Sequence, residues 1–137
     1  MKTNSYLLMN ESNAEINYTG TPVKVAGYYR NYNMFHTISI FTDNLNGRIY
    51  IEGTLKQYPE EKDWFIIPLE DNKDYIEFKT ENYTSERNYI EKYYNINTNA
   101  VLMRARLDRN YLNLDTNQNA LNYARKIGHI RRIYIAF

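Results

Sequence analysis

Apolar and polar side chains alternate with a period of two along much of this chain, which predicts strands that each bury one face. In residues 34–41, Met34, His36, Ile38 and Ile40 share one face and Thr37 and Ser39 the other; in residues 48–55, Ile49 and Ile51 alternate with Arg48, Tyr50 and Glu52. Between them Asp43-Asn44-Leu45-Asn46-Gly47 reads as a hairpin connection, because Asn46 and Gly47 accept positive φ. Further strands are predicted over residues 23–29, 64–67, 75–79, 89–96, 101–107 and 130–137. In the fifth of these Val101, Met103, Ala105 and Leu107 point inward while Arg104 and Arg106 point out. Residues 85–94 also carry helical spacing behind Ser85, but their Tyr and Ile content favours a strand.

Residues 57–63, with Pro59 and no apolar face, break the pattern and read as a loop. Residues 119–127 hold good helix formers and stop at Gly128, which predicts a short helix on the rim. Residues 1–15 lack a sustained period and precede the first turn signal, Thr19-Gly20-Thr21-Pro22, so they read as an N-terminal arm before a domain spanning 16–137. About eight or nine short strands require two layers. The expected fold is therefore an all-β, two-sheet antiparallel β-sandwich, jelly-roll-like, closing over Val25, Ile38, Ile40, Ile49, Ile51, Met103 and Ile133.

Composition narrows the chemistry. The chain has 137 residues and no cysteine, so neither disulfides nor a thiolate metal site is expected, and one core must carry stability. Leu7, Leu8 and Met9 form an apolar run too short for a signal-peptide core or a membrane span, which leads to the expectation of use without secretion and without a membrane. A net charge of +1 gives no long-range field for nucleic acid. Charge is uneven, however: residues 101–137 sum to +5 and residues 1–100 to −4, which would let copies dock head to tail. Tyrosine, at 15 residues, suits both strands and interfaces.

No arrangement of nucleophile, base and orienting group appears, and no cofactor motif. With only His36 and His129, a zinc site would need carboxylates to complete it. His36 falls on a buried face and reads as a structural histidine, with a pH-sensitive contact as the alternative. Glu60, Glu61 and Asp63, and likewise Glu70, Asp71 and Asp74, read as solvated loops and turns in preference to paired catalytic carboxylates or calcium ligands. Trp64, followed by Phe65, Ile66 and Ile67, reads as a core anchor. Tyr28, Tyr29 and Tyr32 cluster with Arg30 at a strand end, where rings can anchor a protein interface or stack on a sugar. Arg104, Arg106, Arg109, Arg125, Arg131 and Arg132 would form a basic stripe if the last two strands paired.

Five blocks in order, Gly27-Tyr28-Tyr29, His36-Thr37-Ile38-Ser39, residues 47–55, Asp63-Trp64-Phe65 and residues 103–107, resemble a pattern of the small β-sandwich structural proteins of tailed bacteriophages, especially marine cyanobacterial myoviruses. The resemblance covers residues 22–108, and 108–128 looks like an insertion. It implies a non-enzymatic virion component of head, neck or tail, assembled in the host cytoplasm with other virion proteins or in a symmetric homo-oligomer. Under that reading Tyr28, Tyr29, Arg30, Tyr32, Arg104, Arg106, Arg131 and Arg132 are the candidate interface, and a glycan is the alternative ligand.

Overall fold

Ten strands form where the alternation places them. The computed structural model describes residues 4–13, 15–30, 34–79, 87–112 and 127–137. The strands are β1 (Ser5–Met9), β2 (Asn17–Thr19), β3 (Val23–Lys24), β4 (Phe35–Asp43), β5 (Gly47–Thr54), β6 (Phe65–Ile66), β7 (Ile76–Phe78), β8 (Tyr89–Asn97), β9 (Leu102–Asp108) and β10 (His129–Ala136), with a 3-10 turn at Glu61–Asp63. They make two antiparallel sheets packed face to face. One is four-stranded, in the order β1-β10-β4-β8; in the other β9 and β5 are central, flanked by β2 and β3 on one side and β6 and β7 on the other.

Taking β2 with β3, and β6 with β7, as interrupted single strands leaves eight, and the first pairs with the last, the second with the seventh, the third with the sixth, the fourth with the fifth. This is one long antiparallel hairpin rolled over on itself, with β10 against β4 and β9 against β5 closing the roll. That winding is a jelly roll.

The seam between the sheets is apolar. Val25, Ile38, Ile40, Ile49, Ile51, Met103 and Ile133 are buried as expected, together with Leu8, Leu107, Ile130 and Ile135, whereas Trp64, expected as a core anchor, is half-buried and lies over Arg104 outside the core. Each such aliphatic side chain stabilises the fold by about 1.5–3 kcal/mol relative to exposure. β8 follows the strand reading, its Ile90, Tyr94 and Ile96 facing inward while Glu91, Tyr93 and Asn95 are exposed. Inward-facing Lys92 of this edge strand, its Nζ 4.9 Å from the Phe78 ring centroid, guards the edge against pairing with another chain.

Three expectations are corrected. The segment from Asp43 to Gly47 is no hairpin: β4 and β5 lie in different sheets, so the turn is a corner between layers. Leu45, 2 % exposed, drops into the core at that corner, and Asn44, with φ 52°, takes the left-handed conformation in place of Asn46 or Gly47. The expected arm, residues 1–15, contributes β1, which pairs with β10. A bulge between Leu7 and Met9 sends both Leu8 and Met9 inward, so β1 lacks the strict alternation of the other strands. The strand expected over 23–29 ends at Lys24, and the N–H groups of Tyr28 and Tyr29 both turn back to the Val25 carbonyl, at 3.0 and 3.4 Å. The helix expected over 119–127 lies, apart from Ile127, outside the described residues.

Candidate protein-interaction surface

The two outer faces of the sandwich differ in kind. On the six-stranded sheet, register puts Glu52 opposite Arg104, Tyr50 opposite Arg106 and Arg48 opposite Asp108. Arg104 Nε donates to Glu52 at 2.9 Å and its two terminal nitrogens donate to Glu61 at 3.1 and 3.0 Å, while its guanidinium lies 4.2 Å from the Trp64 ring. Arg106 Nε donates to the other Glu52 oxygen at 3.4 Å and its guanidinium sits 4.1 Å from the Tyr50 ring. Arg104 is thus buried on the outer face, and the Arg104 guanidinium beside Glu61 holds that carboxyl below its usual range. Trp64 covers this cluster from the loop. Around Glu52 this face is closed by the chain's own charges, and at its other end Arg48, 3.7 Å from Glu77, lies over the Tyr75 and Tyr111 rings at 4.4 and 3.9 Å.

The expected acidic loop is spent in the same way. Asp63 accepts from the Glu60 N–H at 2.8 Å and pairs with Lys56 at 3.0 Å, both of which lower its pKa, and Lys62 lies 3.4 Å from Glu60. Among the described residues no group of three His, Asp or Glu side chains could hold a metal ion.

The outer face of the four-stranded sheet is open and aromatic. One row across it reads Leu7, Tyr134, Ser39, Tyr93, and the next Arg132, Phe41, Glu91. Phe41 meets Tyr134 and Tyr93 edge-on, with centroids 5.9 and 6.3 Å apart. The rings brace one another, and Leu7, 44 % exposed, and Tyr93, 61 % exposed, face solvent. At the end of the same face lies a polar recess of about 240 Å³ lined by Asn10, Glu11, Arg87, Tyr89, His129, Arg131 and Arg132.

The basic stripe expected of the last two strands does not form. β9 and β10 belong to opposite sheets, so Arg104 and Arg106 are separated from Arg131 and Arg132 by the thickness of the sandwich. Arg109 is fully buried, and Arg125 lies outside the described residues. Of the tyrosine cluster, Tyr32 is likewise outside; Tyr28 and Tyr29 meet edge-on at 5.2 Å in the turn that Arg30 closes with φ 56°. Tyr29 stacks on Phe137 at 6.0 Å, Phe137 stacks on Tyr6 at 5.3 Å, and Lys24 lies 4.6 Å from the Tyr28 ring. These rings knit the carboxyl terminus to the sheet and present no flat pair.

His36 is buried; its Nδ1 donates to the Met34 carbonyl at 3.0 Å, and Nε2 accepts the Ala26 N–H at 3.2 Å. Both contacts suit the neutral ring, and burial lowers its pKa. It is a structural histidine that ties the turn after β3 to β4.

The sequence pattern marks neither Arg87 and Tyr89 nor the cluster of Leu7, Phe41, Tyr93 and Tyr134 as a surface. The signal was present in one place: Ile130 and Ile133 are three apart and both inward, so the two arginines between them require a bulge. The chain matches no protein-family model, no curated protein and no solved structure.

Proposed function

We propose that this chain is a non-enzymatic structural protein of a tailed-bacteriophage virion, in head, neck or tail, and that it works through repeated protein–protein contacts. The observation that carries the reading is the asymmetry of the outer faces: one holds its arginines in ion pairs, while the other exposes Leu7 and Tyr93 beside arginines that form no ion pair among the described residues. Exposed Tyr and Arg around an apolar centre are what protein interfaces select. The rolled two-sheet body supports the reading as an architecture that capsid domains use, although lectins and cupins use it too, so fold alone does not assign the role.

The five sequence blocks fall on β4, β5, β9 and the two turns before β4 and β6, and therefore bear on the body more than on the contact surface. In a ring or lattice each modest contact is multiplied by high effective concentration. The glycan reading would need a shallow platform at Tyr28, Tyr29 and Tyr32; the edge-on pair at Tyr28 and Tyr29 gives it less support than the outer face gives a protein partner. Mass spectrometry of purified particles, followed by a density map, tests the proposal. The chain should be present in many copies with the Leu7, Phe41, Tyr93 face covered by a neighbour; its absence from particles would overturn the reading.

A further inference from the structure

We propose that the recess at the end of the open face is a carboxylate-binding site that takes an aspartate or glutamate side chain from an acidic segment of a partner protein. This names the partner chemistry of the contact surface and so rests on the assembly reading.

The site is built by a bulge. β10 shifts register against β4 between Ile130 and Arg132, which keeps Ile130 and Ile133 in the core and leaves the two intervening guanidiniums toward the outer side. Across β4, Asp43 pairs with both His129 and Tyr89, which brings the start of β8 to the same end of the sheet. The Tyr89 ring then lies 4.0 Å from the Arg131 guanidinium, and its hydroxyl accepts from Arg87 at 2.7 Å. Arg132 donates to the Tyr134 hydroxyl at 3.2 Å. The tyrosines thus orient the three cations without neutralising them. Among the described residues none of the three is in an ion pair; the arginines that are so paired are Arg48, Arg104 and Arg106.

A guanidinium carries five N–H donors in a planar fork that matches a carboxylate. Arg87 and Arg132 each spend one on a tyrosine, and Arg131 spends none in stacking. Two carboxylates stand against the three guanidiniums, Glu11 on the rim at 3.4 Å from His129 and Asp43, which accepts from the Asn88 N–H at 3.0 Å and acts on Arg87 through space, so the cations remain in excess. A recess of about 240 Å³ admits an acidic side chain. A nucleic-acid strand fits worse, because the cations do not continue into a track: the neighbouring rows carry Phe41, Tyr93 and Leu7, and Arg104 and Arg106 lie on the opposite sheet, committed to Glu52.

The test is binding of a short, end-blocked peptide of alternating glutamate and leucine to the full chain at low salt, with inorganic phosphate and oligothymidylate as comparison probes. The Arg131→Glu, Arg132→Glu double variant should weaken peptide binding by about tenfold or more, while the charge-matched Lys62→Glu, Lys73→Glu variant should stay within about twofold. If the first variant unfolds, Arg131→Gln with Arg132→Gln replaces it and should still lose most of the binding. No binding by the native chain, equal losses in both double variants, or preference for phosphate or oligothymidylate over the peptide would overturn the proposal. The assay uses the isolated chain: peptide binding by a chain absent from particles would keep the site and sink the assembly reading, and the converse result would do the reverse.

Discussion

Replacing Arg109 with methionine should cost the fold about 1–3 kcal/mol. Its guanidinium is fully buried at the end of β9 and donates to the carbonyls of Ile127 and Gly128 at 3.0 and 2.9 Å and of Asn13 at 3.2 Å, with a longer contact to Ser12 Oγ at 3.5 Å. Methionine fills much of the volume and removes every donor. Ser12 keeps its bond from the Ile130 N–H at 2.8 Å, and exposed Asn13 can turn to water. The carbonyl of buried Ile127 keeps the Asn46 N–H at 2.8 Å, so the buried Gly128 carbonyl alone loses its donor, and an unsatisfied buried acceptor costs about 1–3 kcal/mol, which sets the range. With an unfolding entropy of about 2.1 cal/mol/K per residue, hence about 0.3 kcal/mol/K for this chain, the melting temperature should fall by about 3–10 °C. Scanning calorimetry measures this, and amide exchange at Ser12 and Ile130 should accelerate first, since Arg109 ties their segments together. A loss under about 3 °C, or unchanged exchange at those amides, would refute the clamp.

The other predictions concern the turns, the titrating core and the closed face. Gly128→Ala should destabilise by about 2 kcal/mol or more in urea titration, because Gly128 has φ 60° and an added Cβ would run into the Asn44 backbone; a neutral result would show that the corner can move. His36 has a folded pKa below its ordinary 6.5, so the unfolded chain binds the extra proton first; stability is whole above about pH 7 and falls as pH drops through 6.5 toward the folded value. Urea midpoints should therefore fall from about pH 7.5 to 5, a window above that of Glu61 and Asp63, and His36→Gln should flatten the slope; a native profile already flat there would contradict the buried neutral ring. Glu52→Ala should cost about 2–3 kcal/mol by leaving Arg104 and Arg106 without their shared acceptor, and Glu61→Ala clearly less, because Glu61 is 85 % exposed; equal effects would overturn that ranking.

The long strands were legible because each buries one face, which writes a period of two into residues 35–43, 47–54, 89–97 and 102–108. What joins them was less legible. Asp43-Asn44-Leu45-Asn46-Gly47 has hairpin composition, yet only the inward Leu45 marks a corner between layers. Bulges hid β1, where Leu8 and Met9 are both inward, and are the reason Arg131 and Arg132 share one recess. Arg104 looked outward and is; what covers it, Glu52 and Glu61, arrives through pairing across some fifty residues of chain, a register no local pattern encodes. Tyr89 and Arg87 reach Arg131 by the same non-local route through β4.

On the proposed reading the inward faces make the body and the open face of the four-stranded sheet makes the contacts. A double variant, Leu7→Glu with Tyr93→Glu, tests it in a phage complementation assay that measures incorporation of the chain into particles. Both positions are exposed, so the melting temperature should stay within about 2 °C while incorporation falls by about tenfold. Full incorporation of a folded double variant would contradict the claim.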